Sequence, residues 1–264
     1  MGAGRAHGAR GGGRRAHARR AAPLGAGLHR SAPPRPRRGG QLAGTRLRRR
    51  PVEHLQLEVT SAGSRAGLAA EVAARFDGAI DLLVVNAGVY KTQWLEPEFT
   101  ESFAVNYDGA TATALALAPR LAPGALVAFV SSGLGKLSYL TPDYAGAITA
   151  AETLEELSAA ARRYDPASPM PQHNASSPDY SVSKAALNRA VQLLARPGSP
   201  LRAARAAVAA VCPGWCRTDM GGGGADRSPK EGAASILWPY EAHAGGGFEA
   251  ANGSFTRDGG ALPW

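Results

Sequence analysis

Two side chains that could move a proton stand four residues apart in the second half of the chain. Tyr180 and Lys184 end the segment Tyr180-Ser-Val-Ser-Lys184, so on a helix they share one face. A free tyrosine has a pKa of about 10, too high for efficient proton transfer near neutral pH. A nearby ammonium group favours the tyrosinate and lowers that pKa. The pair therefore predicts a general acid, although an ordinary helix pair with a half-buried tyrosine has the same spacing.

The elements around this pair alternate between strand and helix patterns. Short apolar runs predict strands, and each ends in polar or turn residues: Ile80–Val85 before Asn86-Ala-Gly88, Ala125–Val130 before Ser131-Ser132, and Ala206–Val211 before Pro213-Gly214. Helical patterns cover 64–76, 100–121 and 180–195, and the alternation in Val52–Val59 predicts a further strand. We expect Ile80–Val85 to be buried on both faces. This order predicts a parallel α/β sheet with a ligand site at the carboxyl ends of its strands.

From about residue 52 onward, these motifs stand in the order of the short-chain dehydrogenase/reductase family, which the chain resembles. The resemblance includes Asn106 in Val-Asn-Tyr-Asp-Gly, and Thr218 after Pro213-Gly214. Y-x-x-x-K alone is a weak signal, but the ordered set is strong. The separation of 48 residues between Ser132 and Tyr180 resembles the carbonyl-reductase-like branch, as do the segments 213–222 and 253–264.

The resemblance implies an NADP(H)-dependent oxidoreductase that reduces a ketone or aldehyde, or oxidises the secondary alcohol, by hydride transfer. It makes Tyr180 the proton donor and gives Lys184 a second role in binding the nicotinamide ribose. Ser132, rather than Ser131, would bind the substrate oxygen as charge develops there. Asn106 would hold a water that connects Lys184 to solvent, although a satisfied buried amide is the alternative at this position.

The same resemblance assigns residues that contact the cofactor. Asn86, Ala87 and Gly88 would pass beneath the adenosine ribose, where glycine lets the backbone approach closely. Glu58 and Val59 would meet the adenine edge, with Glu58 standing where the family has aspartate. Pro213, Gly214 and Thr218 would complete the set beside Tyr180 and Lys184, with Thr218 on the nicotinamide carboxamide. The branch favours NADP(H) over NAD(H).

Residues 1–51 differ in composition from the rest of the chain. They contain 14 arginines, 11 glycines and no acidic residue, whereas residues 52–264 have a net charge of −5. The family's first β-α-β portion would fall here, in a Rossmann-like doubly wound parallel sheet. The glycines at 8–13 lack the flanking strand and helix of a nucleotide-binding turn. This portion is therefore expected to be degraded or missing.

Three interpretations of residues 1–51 remain open: a disordered basic tail, an organelle transit peptide, or an out-of-frame translation. A secretory signal is excluded, because the segment has no apolar h-region. With no strands supplied by 1–51, the strand at 52–59 would lack a neighbour and the one at 80–85 would be an edge. The alternative function is then a catalytically impaired family member that acts as a binding protein.

The domain expected at 52–264 contains an insert at 133–179. Thr149 to Glu152 matches a capping box, and Leu154, Leu157 and Ala161 follow at helical spacing, which predicts a helix near 150–164 before a proline-rich return. In the resembled branch such an insert covers the surface used for tetramers, so we expect a monomer; a plain surface excursion is the alternative.

The remaining expectations concern partners and location. The partner would be a small-molecule carbonyl or alcohol, without a membrane and with nucleic acid disfavoured. The location would be cytoplasmic, with organelle targeting as the alternative. No metal is expected, since Cys212 and Cys216 have C-x3-C spacing without a His/Cys cluster.

Overall fold

The computed structural model describes residues 52–76, 79–91, 96–165, 177–243 and 248–264. The predictions for residues 1–51 and for the proline-rich return at 166–176 lie outside these ranges. Within them, no helix combines the length and apolar composition needed to cross a bilayer.

A five-stranded sheet forms the centre of the described part of the chain. Its strands follow chain order across the sheet, the first four parallel and the last antiparallel to its neighbour: β1 (Ile80–Val85), β2 (Leu121–Val130), β3 (Ala207–Val211), β4 (Ser254–Arg257) and β5 (Gly260–Ala261). This arrangement confirms the predicted α/β class, because parallel neighbours require helical crossovers.

Helices connect and cover these strands. The α-helices are α1 (Ala62–Arg75), α2 (Glu96–Phe103), α3 (Ala110–Leu117), α4 (Pro142–Ala150), α5 (Leu154–Ala161), α6 (Pro178–Leu194), α7 (Pro200–Ala203) and α8 (Pro229–His243). A π-helical segment at Ala104–Gly109 joins α2 to α3, so the helix predicted at 100–121 is continuous but changes its winding. Short 3₁₀ helices lie at Ala118–Arg120, Gly133–Gly135, Leu137–Tyr139 and Phe248–Ala251.

The main core lies between the middle of the sheet and α6. Every residue of β3 is buried, and its Ala and Val side chains leave room for close packing. Phe129 of β2 and Leu187 of α6 belong to the same cluster and are almost fully buried. The strand and helix that precede the predicted site therefore share one packed interface.

Two expectations about the amino-terminal side of the sheet were wrong. Residues 52–59 form no strand, and Val52 is 85% exposed. A strand needs a partner for its backbone groups, and within the described ranges β1 pairs only with β2. The edge position of β1 matches the expectation for a sheet without preceding neighbours. Its burial on both faces does not, because only Val85 of β1 is buried.

In the part of the insert that the structure describes, two α-helices, α4 and α5, form instead of one. The cap of the second is Thr153, whose hydroxyl accepts a hydrogen bond from the Glu156 amide at 3.1 Å. Thr149 lies inside α4, where its hydroxyl donates to the Ala145 carbonyl at 2.7 Å. The predicted capping residue was therefore wrong by four positions, one helical turn.

Candidate active site

A cavity of about 1110 Å³ opens at the carboxyl ends of β1, β2 and β3. Nine of the residues predicted for the site line it: Asn86, Ala87, Gly88, Ser132, Tyr180, Lys184, Pro213, Gly214 and Thr218. Asn106 lies behind the lining, and Glu58 and Val59 are not part of it. The structure thus brings three strand ends and the first turns of α6 together, as expected for a parallel sheet.

Tyr180 and Lys184 lie in the first two turns of α6. The Lys184 side chain is buried and donates to the Val130 carbonyl at 2.9 Å, with its nitrogen 5.7 Å from the centroid of the Tyr180 ring. Burial lowers the pKa of Lys184 to about 8. The same loss of hydration raises the pKa of Tyr180 to about 12, while a hydrogen bond with Ser132 acts in the opposite direction.

This direction differs from the sequence expectation for Tyr180. We expected the Lys184 charge to lower the tyrosine pKa, but desolvation of the phenol is the larger effect. The ammonium group is directed to a backbone carbonyl and lies beside the ring. The phenol is therefore neutral near pH 7, which is the protonation state that a proton donor needs.

The two adjacent serines have separate environments. The Ser132 hydroxyl caps the 3₁₀ turn by accepting from the Leu134 amide at 3.1 Å, and it interacts with Tyr180. The buried Ser131 hydroxyl donates instead to Asn188 Oδ1 at 2.6 Å. Of the pair, Ser132 is therefore the hydroxyl available next to the phenol.

Asn106 clamps two parts of the site to each other. Its Oδ1 accepts from the Val89 amide at 2.8 Å, and its Nδ2 donates to the Val89 carbonyl at 2.9 Å and to Ser183 Oγ at 3.0 Å. Ser183 in turn donates to the Tyr180 carbonyl at 2.8 Å. These bonds match the alternative interpretation of this position, a buried amide whose hydrogen-bonding groups are paired within the protein. The π-helical winding around Asn106 is a feature found often at functional sites.

Glycine is required at two places beside the cavity. A Cβ on Gly88 would lie 3.2 Å from Asn106 Oδ1 and 3.6 Å from Lys184 Nζ. Gly214 has φ of +77°, and a Cβ there would lie 2.4 Å from Arg227 Cδ. At both positions a side chain would meet neighbouring protein atoms, and at Gly214 the positive φ also favours glycine.

Glu58 and Val59 are engaged outside the cavity. The Glu58 carboxylate accepts from the amide and hydroxyl of Thr60 at 3.0 and 2.7 Å, and these bonds hold the pKa of Glu58 below its usual value. Val59 packs against Gly109, where an added Cβ would lie 2.9 Å from it. Their assignment to the adenine edge stays a prediction.

Two residues near the phenol had no catalytic or binding role assigned from the sequence. The Tyr90 ring meets the Tyr180 ring edge to face, with centroids 5.2 Å apart and planes at 69°. The buried Cys212 also lines the cavity, and its sulfur accepts from the Gly133 and Gly214 amides at 3.2 and 3.4 Å. Tyr90 stands two residues after Gly88, and this closeness to Asn86-Ala-Gly88 is the signal in the sequence that points to it.

Comparisons with known proteins agree with this geometry. A model of the short chain dehydrogenase family matches residues 9–161, a range that starts inside the arginine-rich segment. The carbonyl reductase (NADPH) 1 of Oryctolagus cuniculus is 31% identical over 219 residues, which cover 77% of this chain and 76% of that protein.

Solved structures show the same fold. Salutaridine reductase from Papaver somniferum superposes with a TM-score of 0.60 at 23% identity, covering 77% of this chain and 81% of that one. The NADPH-bound carbonyl reductase from chicken fatty liver gives a TM-score of 0.57 at 22% identity, covering 79% of this chain and 75% of its own.

Proposed function

The chain belongs to the short-chain dehydrogenase/reductase family and is an oxidoreductase, and we propose that it reduces a ketone or aldehyde with NADPH at the cavity described above. The single observation that supports this most is the meeting of Ser132 and the neutral Tyr180 phenol beside the buried Lys184. The reverse reaction would oxidise the corresponding secondary alcohol at the same groups.

The preference for NADP(H) is supported by the relatives. The curated relative from Oryctolagus cuniculus is named for NADPH, and the chicken protein was solved with NADPH bound. The residues present fit the nicotinamide end of such a cofactor, because Lys184, Pro213 and Thr218 line the cavity together with Tyr180. Lys184 and Thr218 would hold its ribose and carboxamide. NADPH, when bound, supplies the hydride.

The side chains of this chain would supply the remaining chemistry. The substrate oxygen would accept hydrogen bonds from the Ser132 hydroxyl and the Tyr180 phenol, which stabilise negative charge as it develops. The Tyr180 proton would pass to that oxygen and give the alcohol. Asn106 would keep the backbone at Val89 and the start of α6 in register through its bonds to Val89 and Ser183. Its predicted water relay stays a proposal.

An isotope experiment tests this function. The full chain is incubated with 4-formylbenzoate derivatives and NADPH that carries deuterium at either face of C4, and the alcohol is analysed by mass spectrometry. We expect one deuterium in the alcohol from one of the two cofactors, and faster reduction with NADPH than with NADH. If neither deuterated form of NADPH transfers deuterium to the alcohol, the proposal is contradicted and the binding-protein alternative is favoured.

A monomeric state is part of the same proposal. Leu157 and Ala161 of α5 are fully buried in a cluster with Phe99 and Phe103, so the insert covers an apolar face of α2 and α6. Sedimentation at micromolar concentration should give the mass of one chain. A stable tetramer would refute this part of the proposal and leave the activity untouched.

A further inference from the structure

The cavity contains positive charge that the proposed reaction does not use. Its charged lining residues are Lys136, Lys184, Arg257 and Asp219. Lys184 is engaged with the Val130 carbonyl. Asp219 is exposed, on the loop after β3. The cavity therefore has an excess of cations at its wall, which favours an anionic ligand.

Lys136 has no carboxylate partner in the described part of the chain. The ion pairs found there involve other cations, and the Lys136 ammonium instead lies 5.7 Å from the centroid of the Tyr139 ring, which also lines the cavity. Of all the acidic residues in the sequence, Asp77 alone falls outside the described ranges. A half-buried ammonium over an aromatic ring can still accept a carboxylate as a partner.

Arg257, the other cation of the wall, forms none of the ion pairs found among the described residues. Its neighbour Asp258 is held by Arg227 through two bonds of 2.7 Å, and the Arg257 charge has a smaller effect on that carboxylate. Arg257 lies at the end of β4, on a different wall from Lys136. The two cations can therefore be tested separately.

The backbone at Lys136 is fixed relative to the proposed catalytic groups. Gly135 packs so tightly on α6 that a Cβ there would lie 2.7 Å from the Lys184 carbonyl carbon. The Gly135 carbonyl accepts from Asn188 of α6 at 3.1 Å, and its amide donates to the Ser132 carbonyl at 3.0 Å. Lys136 follows directly, so its ammonium extends from a point held against both Ser132 and the helix of Tyr180.

We propose that Lys136 is a specificity-determining residue that selects carbonyl substrates carrying a carboxylate. The substrate carboxylate pairs with the Lys136 ammonium while the carbonyl oxygen lies at Ser132 and Tyr180, and an aromatic or apolar spacer lies against Tyr139. This inference rests on the proposed function, because it names the substrate class of the same site. It adds a binding contact remote from the reacting atoms, which changes KM more than kcat.

The test compares two aldehydes of nearly equal shape, 4-carboxybenzaldehyde and methyl 4-formylbenzoate. They differ in charge, and their different intrinsic reactivity cancels when variants are compared with the unmodified protein. We expect Lys136→Met to lower kcat/KM for the acid about tenfold, mainly through KM, and to change the ester by no more than about twofold. Lys136→Arg should keep the preference. Added salt should weaken it in the unmodified protein, since exposed ion pairs are screened.

Two further variants separate the explanations. Lys230→Met removes the same charge from a lysine outside the cavity lining and should leave both aldehydes unaffected. If Lys136→Met lowers kcat/KM equally for both aldehydes, the assignment to Lys136 is wrong. It is also wrong if Arg257→Met, and not Lys136→Met, removes the preference for the acid. If the unmodified protein reduces neither aldehyde, the proposed function itself fails. If the unmodified protein reduces both aldehydes and Lys136→Met changes kcat/KM for neither, this inference is overturned while the proposed function stands.

Discussion

The two flanks of β2 are built very differently. On one flank, all five residues of β3 are buried, and fourteen residues of α6 are buried with them. On the other flank, β1 has one buried residue, Val85, and α1 has none within the described part of the chain. The residues that begin this second flank, 52–58, include no buried side chain.

This difference separates the two tasks of the proposed site. Ser132, Tyr180 and Lys184 lie beside β3 and α6, the flank that we call the packed flank. There, burial and hydrogen bonds set the protonation states of Tyr180 and Lys184 before any ligand binds. Asn86 and Ala87 follow β1 on the other flank, formed by α1 and β1, which we call the open flank, and both are exposed. Preorganisation matters most where charge develops during the reaction, and the proposed chemistry lies where the described residues are most closely packed.

The largest expected effect is on stability, from truncating one leucine on each flank. Leu187→Ala removes a side chain that is 1% exposed and should lower the free energy of unfolding by about 2–5 kcal/mol. Leu68→Ala on α1, a partly exposed position, should cost about 1 kcal/mol or less. Urea unfolding of both variants measures the contrast. Equal losses would mean that the flanks are equally packed.

A smaller effect on stability is expected from replacing one of two glycines in the 3₁₀ helix at Gly133–Gly135, with the other glycine as its control. Gly135→Ala places a Cβ 2.7 Å from the Lys184 carbonyl carbon, so helix α6 must shift, at a cost of about 1–3 kcal/mol and with loss of activity. Gly133→Ala has nothing within 4 Å of its added Cβ and serves as the matched control. Thermal unfolding and turnover of both variants test this. A silent Gly135→Ala would show that the contact with α6 is not tight.

The smallest expected effect is the pH dependence that Lys184 contributes. Its folded pKa of about 8 lies below the ordinary lysine value of 10.5, so between these values the unfolded chain binds more protons and stability rises with pH. Tyr180, with its raised pKa, opposes this only above its ordinary value of 10.0. From pH 8 to pH 10, the unmodified protein should gain roughly 1–2 kcal/mol relative to Lys184→Met. Urea titrations of both proteins at the two pH values give this difference, and no difference would mean that Lys184 is hydrated.

The packed flank was the part that the sequence predicted well. Ser132, Tyr180 and Lys184 follow an apolar strand or share a helix face, and the family resemblance assigned their roles. Tyr90 received no individual role, because its ring contact with Tyr180 joins residues far apart in the chain. Such a contact is not visible in local periodicity.

Errors were concentrated on the open flank and at helix ends. The alternating pattern at 52–59 predicted a strand, but alternation does not supply the neighbouring strand that its backbone needs. Thr149 and Thr153 both match a cap, and only packing of α5 on the core decides between them. The boundary at residue 52 stays a prediction, while the family model matches the chain from residue 9 onward.

The most direct test of the proposed mechanism is Tyr180→Phe, measured for turnover and for NADPH affinity in the same preparation. The ring and its contact with Tyr90 remain, while the proton donor is lost. Turnover with a benzaldehyde substrate should fall by at least about 10², the contribution typical of a general acid. The dissociation constant for NADPH, measured by fluorescence, should stay within about twofold, because the phenylalanine ring keeps the packing of this position. Near-normal turnover in Tyr180→Phe, with NADPH still bound, would contradict the role assigned to the packed flank.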